Sequence, residues 1–291
     1  MTDKIKFVGV NSITFHQRFK TEADCLEYLS LLKWEKGYSC KRCSNETYCS
    51  GKRPFNRRCT KCRYDESPTA GTMVKFSILT AFHIVFKIAT KKKRMSSIEL
   101  GNEFGLRQKT CWQFKWKLQQ AMQSSLKHPL TGIVHVDEFW VGEVEEQKRG
   151  RSSGKKKLIA LALEIVDNGV GRAYAETIEN ASGKELGRFL KKYVSKDAKV
   201  IADEWRGYMP VKKYFENLKQ VKSDEGKNFK EIHIHIMNIK GWLRGIHHHC
   251  SKERIQGYLD EYHFRYNRRE NMGTIFDLLL ERMIGNEPKR L

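Results

Sequence analysis

The pattern of apolar and polar residues changes near the middle of the chain. In the first part, apolar residues recur three or four positions apart, as in TEADCLEYLSLLKW and SILTAFHIVFKIATKKK, which predicts amphipathic helices. In the second part, GIVHVDEFWVGE, KKKLIALALEIVDNG and GRAYAETIEN predict three consecutive strands joined by short turns. A helical first part is therefore followed by a sheet-forming second part.

The second part continues with helices and strands in alternation. Ser182 and Glu185 predict the capped start of a helix, SGKELGRFLKKYV, and AKVIADEW predicts a fourth strand. We expect a last long helical stretch to begin near Met237. The order β-β-β-α-β-α predicts a mixed sheet flanked by helices, so the expected fold class is α/β.

A helix pair before the sheet has the signals of a helix-turn-helix. Ser96 and Glu99 predict a capping box, and Gly105 predicts the end of the first helix. The second helix mixes cationic and amide side chains with apolar ones, which is typical of a recognition helix packed on a core. A plain three-helix packing unit with a solvated basic face is the alternative. The polar candidates for DNA contact are Arg107, Gln108, Lys109, Gln113, Lys115 and Lys117.

Four cysteines form two CxxC pairs. Cys40 and Cys43 make the first pair, Cys59 and Cys62 make the second, and 15 residues lie between them. Four thiolates at this spacing can close a tetrahedral Zn²⁺ site around a β-ribbon. The zinc would be structural, because four thiolates leave no open coordination position. Four free thiols or a redox pair are the alternative.

Charge narrows the choice of partner. The 291 residues carry 55 Lys and Arg against 34 Asp and Glu, a net charge of +21, which indicates a polyanionic partner. No apolar run approaches the roughly 18 residues of a membrane-spanning helix, and the N-terminus has no secretion signal. We expect a cytoplasmic, nucleoid-associated bacterial protein that binds double-stranded DNA. Basic runs at 91–94 and 147–157 are expected to contact phosphates, with solvated segments as the alternative.

Two aspartates follow apolar runs and are expected at strand ends. Asp137 lies in GIVHVDEFWVGE, Asp203 lies in AKVIADEWRGY, and Asn238 follows 35 positions after Asp203. Two carboxylates and a third oxygen donor can hold a pair of Mg²⁺ ions for phosphodiester cleavage. The alternative is that each Asp marks a loop entry and that Asn238 caps a helix. Glu138 and Glu204 should point to the opposite face of the sheet.

These motifs together resemble the zinc-ribbon group of DDE insertion-sequence transposases, the ISXO2-like family. The resemblance runs from about Glu35 to Arg269. It rests on the double CxxC followed by SPTAGT, on VDEFWVG and ADEWRGY, and on HIHIMNIKGWLRGIHHHCSKERIQGYLDEYHFRYNRR. It implies that Asn238 occupies the third catalytic position and that His233 orients the site.

The resemblance also implies an RNase-H-like catalytic domain and a homo-oligomer on DNA. Cleavage at inverted-repeat ends and strand transfer into target DNA would depend on Mg²⁺. We expect a four-cysteine zinc ribbon with its preceding helix at 1–72, a helix-turn-helix segment at 73–128 and the catalytic domain at 129–291. Alternatives are a zinc-ribbon DNA-binding regulator with an inactive catalytic fold, or a metal-dependent nuclease.

Overall fold

The chain divides into two compact units in a computed structural model that describes residues 6–72, 74–91, 95–142, 156–167, 169–245 and 251–285. One unit comprises Met1–Ala121 with Arg268–Leu291, and the other comprises Met122–Asn267. The helices are α1 (Ser12–Arg18), α2 (Glu22–Lys33), α3 (Ile78–Thr90), α4 (Ser97–Phe104), α5 (Gln108–Ala121), α6 (Gly183–Tyr193), α7 (Lys230–Arg244), α8 (Lys252–Tyr266) and α9 (Ile275–Gly285). The strands are β1 (Tyr48–Ser50), β2 (Arg57–Cys59), β3 (Asp65–Glu66), β4 (Ile133–Val141), β5 (Lys157–Val166), β6 (Gly169–Ile178), β7 (Lys199–Ala202) and β8 (Lys219–Gln220). Among the described residues, none of the helices is both long and apolar enough to span a membrane.

The final helix belongs to the first unit. Phe276 of α9 lies in a cluster of aromatic rings whose centroids are 5.3–6.1 Å from its own. Next to it, the buried Tyr28 hydroxyl of α2 donates a hydrogen bond to Asp277. The sequence predicts a single domain over 129–291, whereas α9 belongs to the unit that contains the N-terminal helices. The rings around Phe276 are those of Phe7, Phe15, Phe19, Phe82 and Phe86.

The helix pair α4–α5 has the predicted start and turn. The Ser96 side chain accepts from the Glu99 backbone and the Glu99 side chain accepts from the Ser96 backbone, so the capping box is present. Gly105 ends α4 at φ 63°, a left-handed conformation that glycine adopts without strain.

One residue predicted to contact DNA is buried instead. Lys115 is 6% exposed and donates to the Met95 carbonyl, so its ammonium group faces the interior of the unit.

A buried lysine joins the zinc-ribbon segment to α2. Lys33 Nζ lies 2.8 Å from a Glu66 carboxylate oxygen, and both side chains are almost fully buried. The same ammonium group donates to the carbonyls of Ser67 and Ala70 at 2.8 Å each. A buried ammonium is tolerated only when its donors are paired, as they are here. The SPTAGT motif therefore wraps its backbone around the end of α2.

The second unit is built on a five-stranded mixed sheet. Its strand order is β6-β5-β4-β7-β8, in which β4, β5 and β6 are antiparallel and β7 and β8 run parallel to β4. Three antiparallel strands followed by two parallel ones form an RNase-H-like sheet, and the predicted α/β fold class is confirmed. Helix α6 packs on one face of the sheet, and α7 and α8 pack on the other. Because β5 is covered on both faces, its run Leu158–Leu163 is buried throughout.

Two side-chain amides of α8 and its C-cap protect the edge strand β6. Asn267 Oδ1 accepts from the Ala173 N–H at 2.8 Å, and its Nδ2 donates to the Ala173 carbonyl at 2.9 Å. Gln256 does the same further along, accepting from Thr177 N at 3.0 Å and donating to the Ala175 carbonyl at 3.3 Å. Edge strands with free backbone groups invite pairing with other chains. The two side-chain amides form hydrogen bonds with backbone N–H and C=O groups of β6 that a sixth strand would otherwise pair with.

One helix boundary was predicted wrongly. The predicted start of the last long helix is near Met237, but α7 begins seven positions earlier, at Lys230. The segment HIHIM alternates apolar and polar residues and so hides the helical period. The period becomes visible when the buried residues are considered together, because they recur at spacings of three and four. They are Ile232, His235, Ile236, Ile239 and Leu243.

Candidate metal centres

The four predicted zinc ligands converge. The Sγ atoms of Cys40, Cys43, Cys59 and Cys62 all lie within 4.8 Å of one another. Cys40 Sγ is 3.5 Å from Cys62 Sγ, and Cys43 Sγ is 3.6 Å from Cys59 Sγ. Sulfur atoms around a tetrahedral Zn²⁺ at about 2.3 Å are separated by roughly 3.8 Å. The cluster therefore fits one zinc ion, whereas Cys49 is exposed and lies outside it.

Hydrogen bonds to sulfur prepare the cluster for a cation. The Arg42 N–H points to Cys40 Sγ at 3.4 Å, and the Cys62 N–H and the Asn45 side-chain amide point to Cys59 Sγ at 3.5 Å each. Burial raises the pKa of the Cys59 thiol, but the hydrogen bonds that its sulfur accepts, chiefly from the Cys62 and Lys61 N–H groups, outweigh burial and lower that pKa to about 6. Donors of this kind stabilise the thiolate, which is the form that binds metal.

The register of two parallel strands brings Asp137 and Asp203 together. Val136 of β4 pairs with Ala202 of β7, so the next residue on each strand is an aspartate. Both carboxylates lie on the sheet face covered by α7 and α8, because their neighbours Val136 and Ala202 pack into the cluster on the α6 face. Asp203 lies at the end of β7, as predicted, whereas β4 continues past Asp137 to Val141.

Each aspartate is held by a nearby backbone N–H. Asp137 Oδ1 accepts from Glu138 N at 2.8 Å, and Asp203 Oδ1 accepts from Trp205 N at 3.0 Å. The Gln220 amide of β8 donates to the carbonyls of Asp203 and Trp205, which fixes the loop after β7. Glu138 points to the opposite sheet face, as predicted, where it accepts from the Tyr208 hydroxyl at 3.0 Å.

The carboxyl group of Asp137 has a raised pKa. Burial raises the pKa of its carboxyl, the Glu138 N–H opposes that rise, Asp203 adds to it and Lys240 lowers it, and the resulting pKa is about 6. Asp203 has this effect because its like charge on the neighbouring strand disfavours ionisation of the Asp137 carboxyl. A bound cation stabilises the ionised form of such a carboxylate, because it offsets both burial and the charge of the second carboxylate.

His233, on the first turn of α7, reaches this site. Its Nε2 atom lies 3.3 Å from Asp137 Oδ2. Gly226 packs against the imidazole, since a Cβ there would lie 2.8 Å from His233 Nδ1. Gly226 also has φ +88°, so both space and backbone conformation favour glycine. The imidazole is therefore positioned by the turn that precedes α7.

Asn238 lies on a different side of α7 from His233. Five helical residues turn through about 500°, so the two side chains point about 140° apart. Asn238 is exposed, and among the described residues no hydrogen bond joins it to Asp137 or Asp203. By contrast, Lys240 is seven residues after His233 and returns to the same side of the helix. Lys240 and Gly226 were not among the predicted site residues. The seven-residue spacing from His233 is the sequence signal for Lys240.

The donor set fits a hard divalent cation. Two neighbouring carboxylates offer the oxygen ligands that Mg²⁺ and Mn²⁺ prefer, and each retains an oxygen beyond its backbone hydrogen bond. These side chains alone would not complete the coordination of the cation. Within the described ranges, the cysteine cluster is the one group of three or more His, Cys, Asp or Glu side chains gathered within 4.8 Å, so Asp137, Asp203 and His233 are spread more widely. Mg²⁺ sites commonly complete their coordination with water and substrate oxygens.

Comparison with known families agrees with this geometry. Residues 129–267 match the ISXO2-like transposase domain. This stretch nearly coincides with the second compact unit, Met122–Asn267. The family resemblance inferred from the motifs is thereby confirmed over residues 129–267. No curated protein matches the sequence at a significant level.

Solved transposase structures are distantly similar. A Mos1 transposase paired-end complex with left transposon end has 12% identity and a TM-score of 0.31, covering 67% of this chain and 76% of that chain. The Mos1 strand transfer complex has 13% identity and a TM-score of 0.33, covering 72% and 78%. The mariner Mos1 paired-end complex with Mg has 12% identity and a TM-score of 0.32, covering 96% of both chains.

Several of the predicted DNA contacts lie outside the described residues. These are Lys92–Arg94, and the greater part of the basic run 147–157. The exposed basic residues that are described include Arg107 and Lys109 around the start of α5, and Lys52 and Arg53 in the zinc-ribbon segment.

Proposed function

We propose that this protein is a DDE-type insertion-sequence transposase that cuts the ends of its element and joins them to target DNA. The observation that carries the proposal is the adjacency of Asp137 and Asp203 across β4 and β7 in an ISXO2-like transposase domain. Because two DNA ends must be handled together, a homo-oligomer on DNA is part of the proposal. The zinc-ribbon segment and the α4–α5 pair would bind the duplex.

The residues of the site have separable tasks. Asp137 and Asp203 would hold the divalent cation, and the backbone N–H groups of Glu138 and Trp205 fix one oxygen of each carboxylate. When bound, the metal supplies Lewis acidity that activates a water or a 3′-hydroxyl and stabilises the leaving oxygen. His233 orients the second oxygen of Asp137, and Lys240 adds positive charge beside the site.

Alanine substitution of each aspartate tests the proposal. Asp137→Ala and Asp203→Ala should each abolish nicking of a duplex that carries the element's terminal repeat, while DNA affinity stays within about twofold, because phosphate contacts dominate binding. Asp167→Ala is the matched control, since this exposed carboxylate lies beyond β5. Cleavage by either aspartate variant at the wild-type rate would refute the proposal.

Metal binding can be measured without catalysis. Mg²⁺ should raise the unfolding temperature of the wild-type protein, because a ligand that binds only the folded state stabilises it. The shift should disappear in Asp137→Ala and persist in Asp167→Ala. A shift that survives in Asp137→Ala would place the metal elsewhere.

A further inference from the structure

The hairpin of the zinc ribbon encloses a recess. It has a volume of about 380 Å³ and lies at the connection between β1 and β2. Its lining combines aromatic, amide and cationic residues. The residues that matter here are Tyr48, Lys52, Arg53, Phe55, Asn56 and Arg57.

Phe55 has a strained backbone at the edge of this recess. Its φ is +64°, in the left-handed region that bulky side chains rarely adopt. Residues 53–56 form a tight turn closed by a hydrogen bond from Asn56 N to the Arg53 carbonyl at 3.1 Å. Glycine or asparagine would suit the position after Pro54. A strained bulky residue persists where the surrounding structure holds it, and such positions concentrate at binding sites.

The turn is held by Asp65 of β3. Its Oδ2 accepts from Lys52 N at 2.9 Å, and its Oδ1 accepts from the Asn56 side chain at 3.2 Å. Gly51 permits this close approach, since a Cβ there would lie 2.3 Å from Asp65 Oδ1. The conformation at Phe55 is therefore set by contacts on both sides of the turn.

Arg57 also lines the recess, where its guanidinium group is held in place by two aromatic rings. Its Cζ atom lies 4.5 Å from the Trp34 ring centroid and 4.1 Å from the Tyr48 ring centroid. A guanidinium held on aromatic rings keeps its donor edge free for planar recognition. Lys52 and Arg53 are exposed at the rim, where they can meet phosphates.

We propose that this recess binds one unstacked nucleotide of DNA, with the base against Phe55, its polar edge toward the Arg57 guanidinium that lies on Tyr48, and the flanking phosphates on Lys52 and Arg53. The proposal rests on the proposed function for the identity of the polymer. Aromatic surfaces accept any base that has left its stack, and neighbouring cations follow the backbone. A fully paired duplex offers no such base, so the recess would favour distorted or frayed DNA.

Paired binding measurements without divalent metal test this proposal independently of cleavage. Full-length protein should bind a duplex with a one-nucleotide bulge about tenfold more tightly than the same duplex fully paired. Phe55→Gly should remove that preference and leave the affinity for paired duplex within about twofold. Its unfolding temperature should not fall, because glycine adopts φ +64° freely. Ile13→Ala, an exposed apolar change on α1, which contributes no residue to the lining of the recess, should retain the preference.

Several outcomes would overturn the proposal. Equal affinity of the wild-type protein for bulged and paired duplex is one, and an unchanged preference in Phe55→Gly is another. The Lys52→Ala, Arg53→Ala double variant gives a test that does not depend on the turn, since it should weaken binding of the bulged duplex more than that of the paired one. Equal weakening would count against the recess. Free dAMP binding as tightly as the bulged duplex would exclude DNA as the ligand.

Discussion

His233 Nε2 lies 3.3 Å from Asp137 Oδ2, which connects the first turn of α7 to the middle of β4. The contact forms because α7 begins at Lys230, which places His233 on the first turn of the helix. A helix that began later would leave the imidazole in a loop, without a fixed direction. The site consequently depends on a turn, a helix start and two strands that are distant in sequence.

The zinc cluster gives the first prediction. Cys43→Ser should lose the bound Zn²⁺ and unfold the ribbon, because the ion closes the cluster and metal binding is coupled to folding. Metal analysis of the purified protein should find one zinc per chain in the wild type and in Cys49→Ser, whose thiol is exposed and outside the cluster. Full zinc content in Cys43→Ser would show that the cluster is not the zinc site. Cleavage chemistry need not be measured.

Gly226 gives the second prediction. Gly226→Ala should lower cleavage about tenfold or more, because an added Cβ would displace the His233 imidazole and misplacement by about 1 Å can cost that much. The positive φ adds about 1 kcal/mol of destabilisation. Gly241→Ala is the control, since nothing lies within 4 Å of a Cβ at that position in α7. Wild-type cleavage in a folded Gly226→Ala protein would show that the imidazole position is unimportant.

Asp260 on α8 gives a prediction about pH. Burial raises the pKa of its carboxyl to about 7, although a hydrogen bond from Gln256 opposes the rise. A raised carboxyl pKa makes the folded state favour the protonated form, so stability is lost as pH rises from about 4 to 7. Asp260→Asn cannot ionise and should be more stable than wild type above pH 7, by about 1–3 kcal/mol.

The check is chemical denaturation of Asp260→Asn and wild type at several pH values. The stability difference should grow as pH rises and level off above pH 7. Asp167→Asn, an exposed carboxylate, should show no such trend. A difference that stays constant from pH 4 to pH 8 would mean that Asp260 ionises normally in the folded protein.

Local sequence signals were enough for much of this fold. The boundaries of α4 could be predicted because its caps are formed by residues close together in the sequence. Ser96 and Glu99 cap its start, and Gly105 ends it. The strands around Asp137 could be predicted because apolar runs bounded by turns leave few alternatives. The CxxC pairs could be interpreted because tetrahedral zinc coordination restricts the sequence spacing of the cysteine ligands.

Long-range packing could not be predicted in this way. Nothing near Phe276 in the sequence shows that it joins a ring cluster with Phe7 and Phe15. Lys115 resembles a surface cation on the helix, yet its ammonium bonds to a backbone carbonyl 20 positions away. The family resemblance implied a role for His233 at the site, but the angle of about 140° between His233 and Asn238 follows only once both lie on one helix that begins at Lys230.

The last prediction separates His233 from Asn238. His233→Ala should lower the rate of nicking about 10- to 100-fold and weaken the Mg²⁺ response, because partners that orient a metal ligand have effects of this size. His233→Gln can keep a polar contact with Asp137 and should recover part of the rate. Asn238→Ala should stay within about threefold of wild type, since the Asn238 side chain is exposed and turned about 140° from His233. The measurement is nicking of a terminal-repeat duplex across a Mg²⁺ titration. If Asn238→Ala is inactive and His233→Ala cleaves normally, the amide is the third donor, and α7 must rotate when metal and DNA bind.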